Sequence, residues 1–239
     1  MLFDNFDMIE VHTPFADSLL RIRRIPDEVI HELRALYNED GKDHNRYLVA
    51  DVKSQKAPLL DQIKEKPNLF QFMCGVSLEF WKVYNRNYFL NVGMKNSSSK
   101  VTSAWFVDYD PGEYNPVHNH LPYDNDNLVD KRLTPCNAII WMDVIDKNLE
   151  PDDADAHMSG IWNENLDTMG FDNSKNYNGD IGVWINGKYI TYAPKQYECM
   201  IMSAETLHWV YPIRTKQKRL SFQWNAQTLF VENSHTPVL

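Results

Sequence analysis

The chain has 239 residues, 43% of them hydrophobic, which is enough for one large domain with a real core. Its 24 basic residues against 33 acidic ones leave a formal charge of -9, arguing against a broad electrostatic grip on nucleic acid or an anionic membrane. Cys74, Cys136 and Cys199 lie far apart in apolar surroundings, so neither a disulfide framework nor a cysteine metal clip is available.

The opening "MLFDNFDMIEVH" lacks a basic region leading into an apolar stretch, and no apolar run is long enough to cross a bilayer. The expectation is a soluble, cytoplasmic protein. "LLRIRRI", Leu19 to Ile25, alternates apolar and basic residues as a half-exposed strand does. Pro26 and two acids then open a helix with a Val29, Leu33, Leu36 stripe. A second helix is expected after Pro67, where Leu69, Phe72, Met73, Val76, Phe80 and Val83 repeat at helical spacing.

After the polar stretch Asn96 to Lys100 the pattern changes to short strands rich in β-branched and aromatic residues. These are "VTSAWFVDY", "CNAIIWMDVI", "IGVWI", "KYITYA", "YECMIMS", "LHWVYPI" and "KRLSFQWNA". "INGK", Ile185 to Lys188, predicts a tight hairpin, because Asn-Gly accepts positive φ. Many short strands in one region predict a sandwich or barrel. The acidic, Asn-rich stretch 146–180 is read as a long surface insertion, either a lid or a solvated loop. The chain thus divides into a strand and helical support region (1–98) and a β core (99–239) within a single domain, 1–239.

"NPVHNHLPYD" carries the first sign of chemistry. Residues two apart on a strand share a face, so His118 and His120 can present both imidazoles to one metal if the segment is extended. The bland alternative is a pair of rings that hydrogen-bond in a loop. Imidazole serves iron, zinc, copper and nickel alike, so the pair does not choose a metal. Further on, His208 sits in one strand-like run and Arg219 in the next. Arg219, Ser221, Gln223 and Asn225 share one strand face, with Leu220, Phe222 and Trp224 on the other. A buried guanidinium needs a partner, and a carboxylate ligand would supply a bidentate one. The other histidines, His12, His31, His44, His157 and His235, have no such spacing and read as surface or loop residues.

"YDPGEYNPVHNH" resembles the motif of the prolyl-hydroxylase-like branch of the 2-oxoglutarate and Fe(II)-dependent dioxygenases, and His208 with "RLS" resembles that family's distal histidine and R-x-S. "WFVDYDPGEYNPVHNH" is similar to uncharacterised oxygenases encoded by phages of marine bacteria, which would place the protein in a host cytoplasm. The resemblance covers roughly the C-terminal half. It implies a mainly β fold with flanking α, a double-stranded β-helix (jelly roll, cupin-like) with N-terminal helices. It also implies Fe(II), 2-oxoglutarate as cosubstrate and O2, with hydroxylation of an unactivated C–H bond and release of succinate and CO2.

By this resemblance His118 and His208 are metal ligands, Arg219 pairs with the distal carboxylate of 2-oxoglutarate and Ser221 hydrogen-bonds it. Tyr109 contacts the keto acid, and Trp141 lines the same pocket or is plain barrel core. The departure is His120, which stands where the family has Asp or Glu. Either three histidines hold the metal or Asp124 or Asp126 supplies a carboxylate, leaving His120 to orient substrate or support a ligand. The primary substrate is not specified by the sequence; a peptidyl or amino-acid side chain is favoured, and nucleic acid is disfavoured. Two other readings stand beside this one: a cupin-like three-histidine metalloenzyme that uses no 2-oxoglutarate, and a non-catalytic jelly-roll structural or binding module of a virus.

Overall fold

A computed structural model describes residues 8–12, 19–39, 42–43, 54–88, 96–120, 133–148, 177–185 and 187–231. The first half supplies β1 (Met8–His12), β2 (Leu19–Ile22), α1 (Asp27–Asn38), β3 (Lys42–Asp43), β4 (Ser54–Ala57), α2 (Leu60–Lys64) and α3 (Pro67–Tyr88). There follow β5 (Asn96–Tyr109), β6 (Asn115–His118), β7 (Leu133–Asp143) and β8 (Ile181–Ile185). The last four strands are β9 (Lys188–Tyr192), β10 (Cys199–Ser203), β11 (His208–Val210) and β12 (Arg219–Val231).

Every pairing is antiparallel, in a larger sheet ordered β1-β2-β10-β7-β12-β5-β4-β3 and a smaller one ordered β6-β11-β8-β9. From β5 onward the chain winds between the two walls, giving β5, β7, β10 and β12 to one and β6, β8, β9 and β11 to the other. That winding is a double-stranded β-helix, the jelly roll expected, with helices flanking it.

Alternation along β12 explains the layers. Leu220, Phe222, Trp224 and Ala226 face outward into a core that includes Val29, Leu33 and Leu36 of α1 and Leu69, Phe72, Met73, Val76 and Phe80 of α3. The Trp224 indole N–H donates to Ser77 Oγ of α3 at 3.2 Å, satisfying a polar group inside that core. Arg34 of α1 forks onto both oxygens of Asp143 at 3.0 and 2.7 Å and clamps the helix to the end of β7. The intervening residues Arg219, Ser221, Gln223 and Asn225 therefore face the smaller sheet, inside the barrel.

Three local readings change. β2 is covered on both sides, because it lies inside the sheet between β1 and β10; Leu19 packs into the barrel while Leu20 and Ile22 join the helical core. Asn96 to Lys100 is the start of β5, paired as far as Asn96 with Val231, since a ladder needs only backbone groups. β3, β4 and α2 carry too little apolar pattern to announce themselves. The Ile185 to Lys188 hairpin is present, with Gly187 at φ +69°. Most of the 146–180 insertion, and Asp124 and Asp126, lie outside the described residues, as does the side chain of Val83. No described helix is long and apolar enough to cross a membrane.

Candidate functional site

β6 ends at His118 and β11 begins at His208, and these two residues are register partners in the smaller sheet. Beyond His118 the chain crosses to the other wall, where the His120 N–H donates to the Ala204 carbonyl, just past β10, at 2.9 Å. His120 is thus not on the strand, and the convergence of the pair comes from this crossing rather than from one extended face.

The ligating nitrogens of His118, His120 and His208 all lie within 4.8 Å of one another, and the His120 and His208 Nε2 atoms are 3.3 Å apart. Two nitrogens on bonds of about 2.1 Å stand about 3.0 to 3.4 Å apart for right-angle to tetrahedral coordination, so the His120–His208 pair has the spacing of two ligands on one first-row metal ion. Two rings are fixed by the same local device. His118 Nδ1–H donates to Pro116 O at 2.7 Å and His208 Nδ1–H to Thr206 O at 3.0 Å, each carbonyl two residues back. With the proton on Nδ1, each Nε2 presents a lone pair to the centre. The His120 ring lies near-parallel to Trp105 at 5.6 Å and to His208 at 5.0 Å between centroids.

Burial keeps all three imidazoles neutral. It lowers the pKa of His118, takes His120 well below the usual histidine range with the neighbouring histidines adding to the effect, and brings His208 down to about 3. Neutral imidazole is the form a metal binds.

Beside the cluster, β12 and its neighbours build a second polar patch. Register places Arg219 opposite Tyr109 of β5, and Ser221 opposite Trp141 of β7. All four are fully buried, yet all three guanidinium nitrogens, the Ser221 and Tyr109 hydroxyl oxygens and the Trp141 indole nitrogen have no hydrogen-bond partner among the described residues. Buried groups of this kind cost roughly 1–3 kcal/mol each when unpaired, more for a charge, so a cluster of them is a candidate site for a polar ligand or ordered water. Burial lowers the Arg219 pKa and raises that of Tyr109, opposed in each case by the other residue. A planar guanidinium with an adjacent hydroxyl, an indole N–H and a phenol fits a carboxylate-bearing molecule such as 2-oxoglutarate.

Asn115 lies between the two patches. Its amide lies 3.3 Å from His118 Nε2 and close enough to the Tyr109 hydroxyl to favour the ionised phenol, although distance and angle close no hydrogen bond there; a metal on Nε2 would take that lone pair and release the amide. Asn115 and Trp105 were not singled out by sequence; an Asn three residues before a ligand histidine on the same short strand was the available signal. At the barrel mouth beside His120, a cavity of about 290 Å³ is lined by Thr102, Pro135, Cys136, Ala204, Asn225 and Gln227, among others. The β12–β5 register shifts between Asn225 and Ala226 at this point, a bulge that bends the sheet around the opening.

Fold and side chains together define a double-stranded β-helix protein with a candidate three-histidine metal centre. No protein-family model matches the chain, and no curated protein does. Among solved structures it is similar to a prolyl-4-hydroxylase of Pseudomonas putida, at 14% identity and a TM-score of 0.47, covering 92% of this chain and 94% of that one. It is also similar to the viral collagen prolyl hydroxylase of Paramecium Bursaria Chlorella virus-1 in its 2OG complex, at 12% identity and a TM-score of 0.46, covering 87% and 95%. A third is the non-heme alpha ketoglutarate dependent epimerase SnoN from nogalamycin biosynthesis, at 10% and 0.47, covering 93% and 86%. At such identities and scores, the functional reading rests on this chain's own residues.

Proposed function

We propose that the chain is an Fe(II)- and 2-oxoglutarate-dependent oxygenase that hydroxylates an unactivated C–H bond. The observation that carries this reading is the contiguous set of buried groups on Arg219, Ser221, Tyr109 and Trp141 without hydrogen-bond partners among the described residues, with Asn115 lying between them and three neutral histidines. His118, His120 and His208 would hold the metal. Arg219 would take the distal carboxylate in a charge-assisted pair, with Ser221 and the Trp141 N–H as further donors, and the Tyr109 hydroxyl would contact the keto acid. When bound, the iron, keto acid and O2 supply the oxidising power, with succinate and CO2 released.

The protein's own part is to orient and to exclude water. Trp105, Val107, Ile145, Val210 and Ile213 form one apolar cluster with Tyr109, closing the barrel around the keto-acid patch. The cavity beside His120 would receive the substrate; among the described residues its lining mixes Thr102, Asn225 and Gln227 with Pro135, Cys136 and Ala204, which suits a peptidyl or amino-acid side chain. Residues 1–98 would act as the support region and 99–239 as the catalytic core of a single domain. His120, rather than Asp124, is the third ligand of this reading because its ring already lies beside that of His208.

A three-histidine enzyme that needs no keto acid is the second reading, favoured by the all-imidazole donor set. It leaves the Arg219 patch without a purpose. Anaerobic titration of the metal-free protein with Fe(II) and then 2-oxoglutarate separates the possibilities. A visible charge-transfer band that disappears in His118→Ala and Arg219→Ala supports the oxygenase. Iron binding without the band favours the second reading, and binding of neither leaves a non-catalytic jelly-roll module.

A further inference from the structure

A buried guanidinium beside a buried carboxylate ordinarily pairs with it, since two desolvated opposite charges gain most by direct hydrogen bonding. Arg219 has a buried carboxylate, that of Asp180, within its electrostatic reach and makes no hydrogen bond to it. Asp180, 5% exposed, ends the short segment that leads into β8. That segment is pinned by Gly179 N–H to Pro212 O at 3.3 Å, by Asp180 N–H to Tyr177 O at 2.9 Å, and by Tyr211 N–H to Asp180 O at 2.9 Å. Gly179 is packed so closely on Ile145 and Ile213 that a Cβ there would meet their side chains at 2.9 and 3.0 Å. Both isoleucines belong to the apolar cluster of Tyr109, whose ring lies against the Arg219 guanidinium. Burial raises the Asp180 pKa and lowers that of Arg219, and the attraction between the two charges opposes both shifts. Even so, no guanidinium nitrogen has a hydrogen-bond partner among the described residues.

The Asp180 carboxylate is engaged elsewhere. Lys147 Nζ forms an ion pair with it and donates as well to the Asn178 carbonyl. Lys147 sits in the turn after β7, where Asp146 N–H is held by Gln217 Oε1 at 2.7 Å, so the ammonium approaches from a fixed base. We propose that Lys147 is a positioning residue that holds the Asp180 carboxylate away from Arg219, keeping the guanidinium open for a dicarboxylate cosubstrate. This rests on Arg219 being the partner of that cosubstrate. The charges support it: Lys147, Asp180 and Arg219 together leave one positive charge for an incoming dianion. Without the lysine, Asp180 and Arg219 would cancel each other and occupy the same hydrogen-bonding edge. Asp180 in turn keeps Lys147 from competing with Arg219 for the ligand.

The test is anaerobic binding of 2-oxoglutarate to the metal-loaded full chain, followed by calorimetry, with metal affinity measured in parallel. Lys147→Met should weaken 2-oxoglutarate binding about tenfold or more, because the ligand must now displace an internal carboxylate, while metal affinity stays unchanged. Lys147→Arg should bind as the parent does. Asp180→Asn should bind at least as tightly, and in that background Lys147→Met should change little. The last comparison also serves if the single lysine variant folds poorly. A parent-like Lys147→Met, or a loss that persists undiminished in the Asp180→Asn background, would overturn the positioning role, the latter by showing that Lys147 contacts the ligand itself. If the parent protein binds no 2-oxoglutarate, the assignment of Arg219 fails and the role of Lys147 with it, a result distinct from either.

Discussion

Tyr109 and Arg219 are direct cross-strand partners on β5 and β12, and the guanidinium carbon lies 5.1 Å from the centre of the Tyr109 ring. The ring supports the cation through its face, yet every hydrogen-bonding position of the guanidinium remains open. A guanidinium left in that state costs stability until something pairs with it. Arg219→Met should therefore raise the stability of the ligand-free protein, by about 1–4 kcal/mol if it follows other buried charges replaced by apolar side chains. The same change should abolish 2-oxoglutarate binding. Denaturant midpoints and a ligand titration check both, and a destabilised variant would mean that the guanidinium already has a partner.

His208 sets a pH dependence. Its pKa is depressed in the fold to about 3, chiefly by burial, while an unfolded histidine titrates near about 6.5. Between those values the unfolded chain takes up a proton that the folded chain refuses, so stability rises with pH through this window and falls on acidification. The loss is about 1.4 kcal/mol for each pH unit below about 6 from this residue alone. Chelator-treated protein should show a thermal midpoint that drops from pH 7 to pH 5, and His208→Gln should flatten that slope. An unchanged slope would show that His208 is solvated.

The walls of the barrel were legible because alternation in "RLSFQWN" separates a polar from an apolar face whatever lies opposite, and the helical stripes of α1 and α3 supply the apolar partners. The candidate ligand histidines could be named from their chemistry, though not from the strand geometry their spacing suggested. What was not legible is what depends on register between distant strands: that Ser221 meets Trp141, that Tyr109 meets Arg219, and that Trp105 stacks on His120. Lys147 and Asp180 are separated by a stretch that reads only as polar, and nothing in either neighbourhood announces the ion pair that joins its two ends. The H-x-H pair was expected on one strand face, whereas the backbone leaves the smaller sheet between the two rings.

His120 should govern which metal the centre prefers. Three imidazoles form a softer, neutral donor set, and replacing one by a carboxylate adds a negative charge and a hard oxygen. His120→Asp should therefore raise affinity for Fe(II) and Mn(II) relative to Zn(II) and Cu(II), while His120→Ala weakens all of them. Competition titrations on the purified variants measure the ratio. Equal ratios in the parent protein and His120→Asp would place residue 120 outside the coordination sphere.

Gly182 is the position where fold and site depend on one another most directly. It is the register partner of Trp209, and a Cβ at 182 would fall 2.1–2.6 Å from atoms of the indole. The indole cannot give way easily, because Tyr189 stacks on it at 5.2 Å between centroids. Trp209 follows His208 directly, and His208 pairs with Val183 in the same sheet. Gly182→Ala must therefore displace β11 or β8, by an overpacking cost of about 1–3 kcal/mol, and carry His208 away from its 3.3 Å approach to His120. Both the thermal midpoint and metal affinity should fall together. Trp209→Ala in the same chain should recover part of the metal affinity by making room for the new methyl group, although it removes an aromatic contact of its own. If Gly182→Ala lowers stability but leaves the metal affinity intact, the ring of His208 is held by the Thr206 carbonyl alone and not by the placement of its strand.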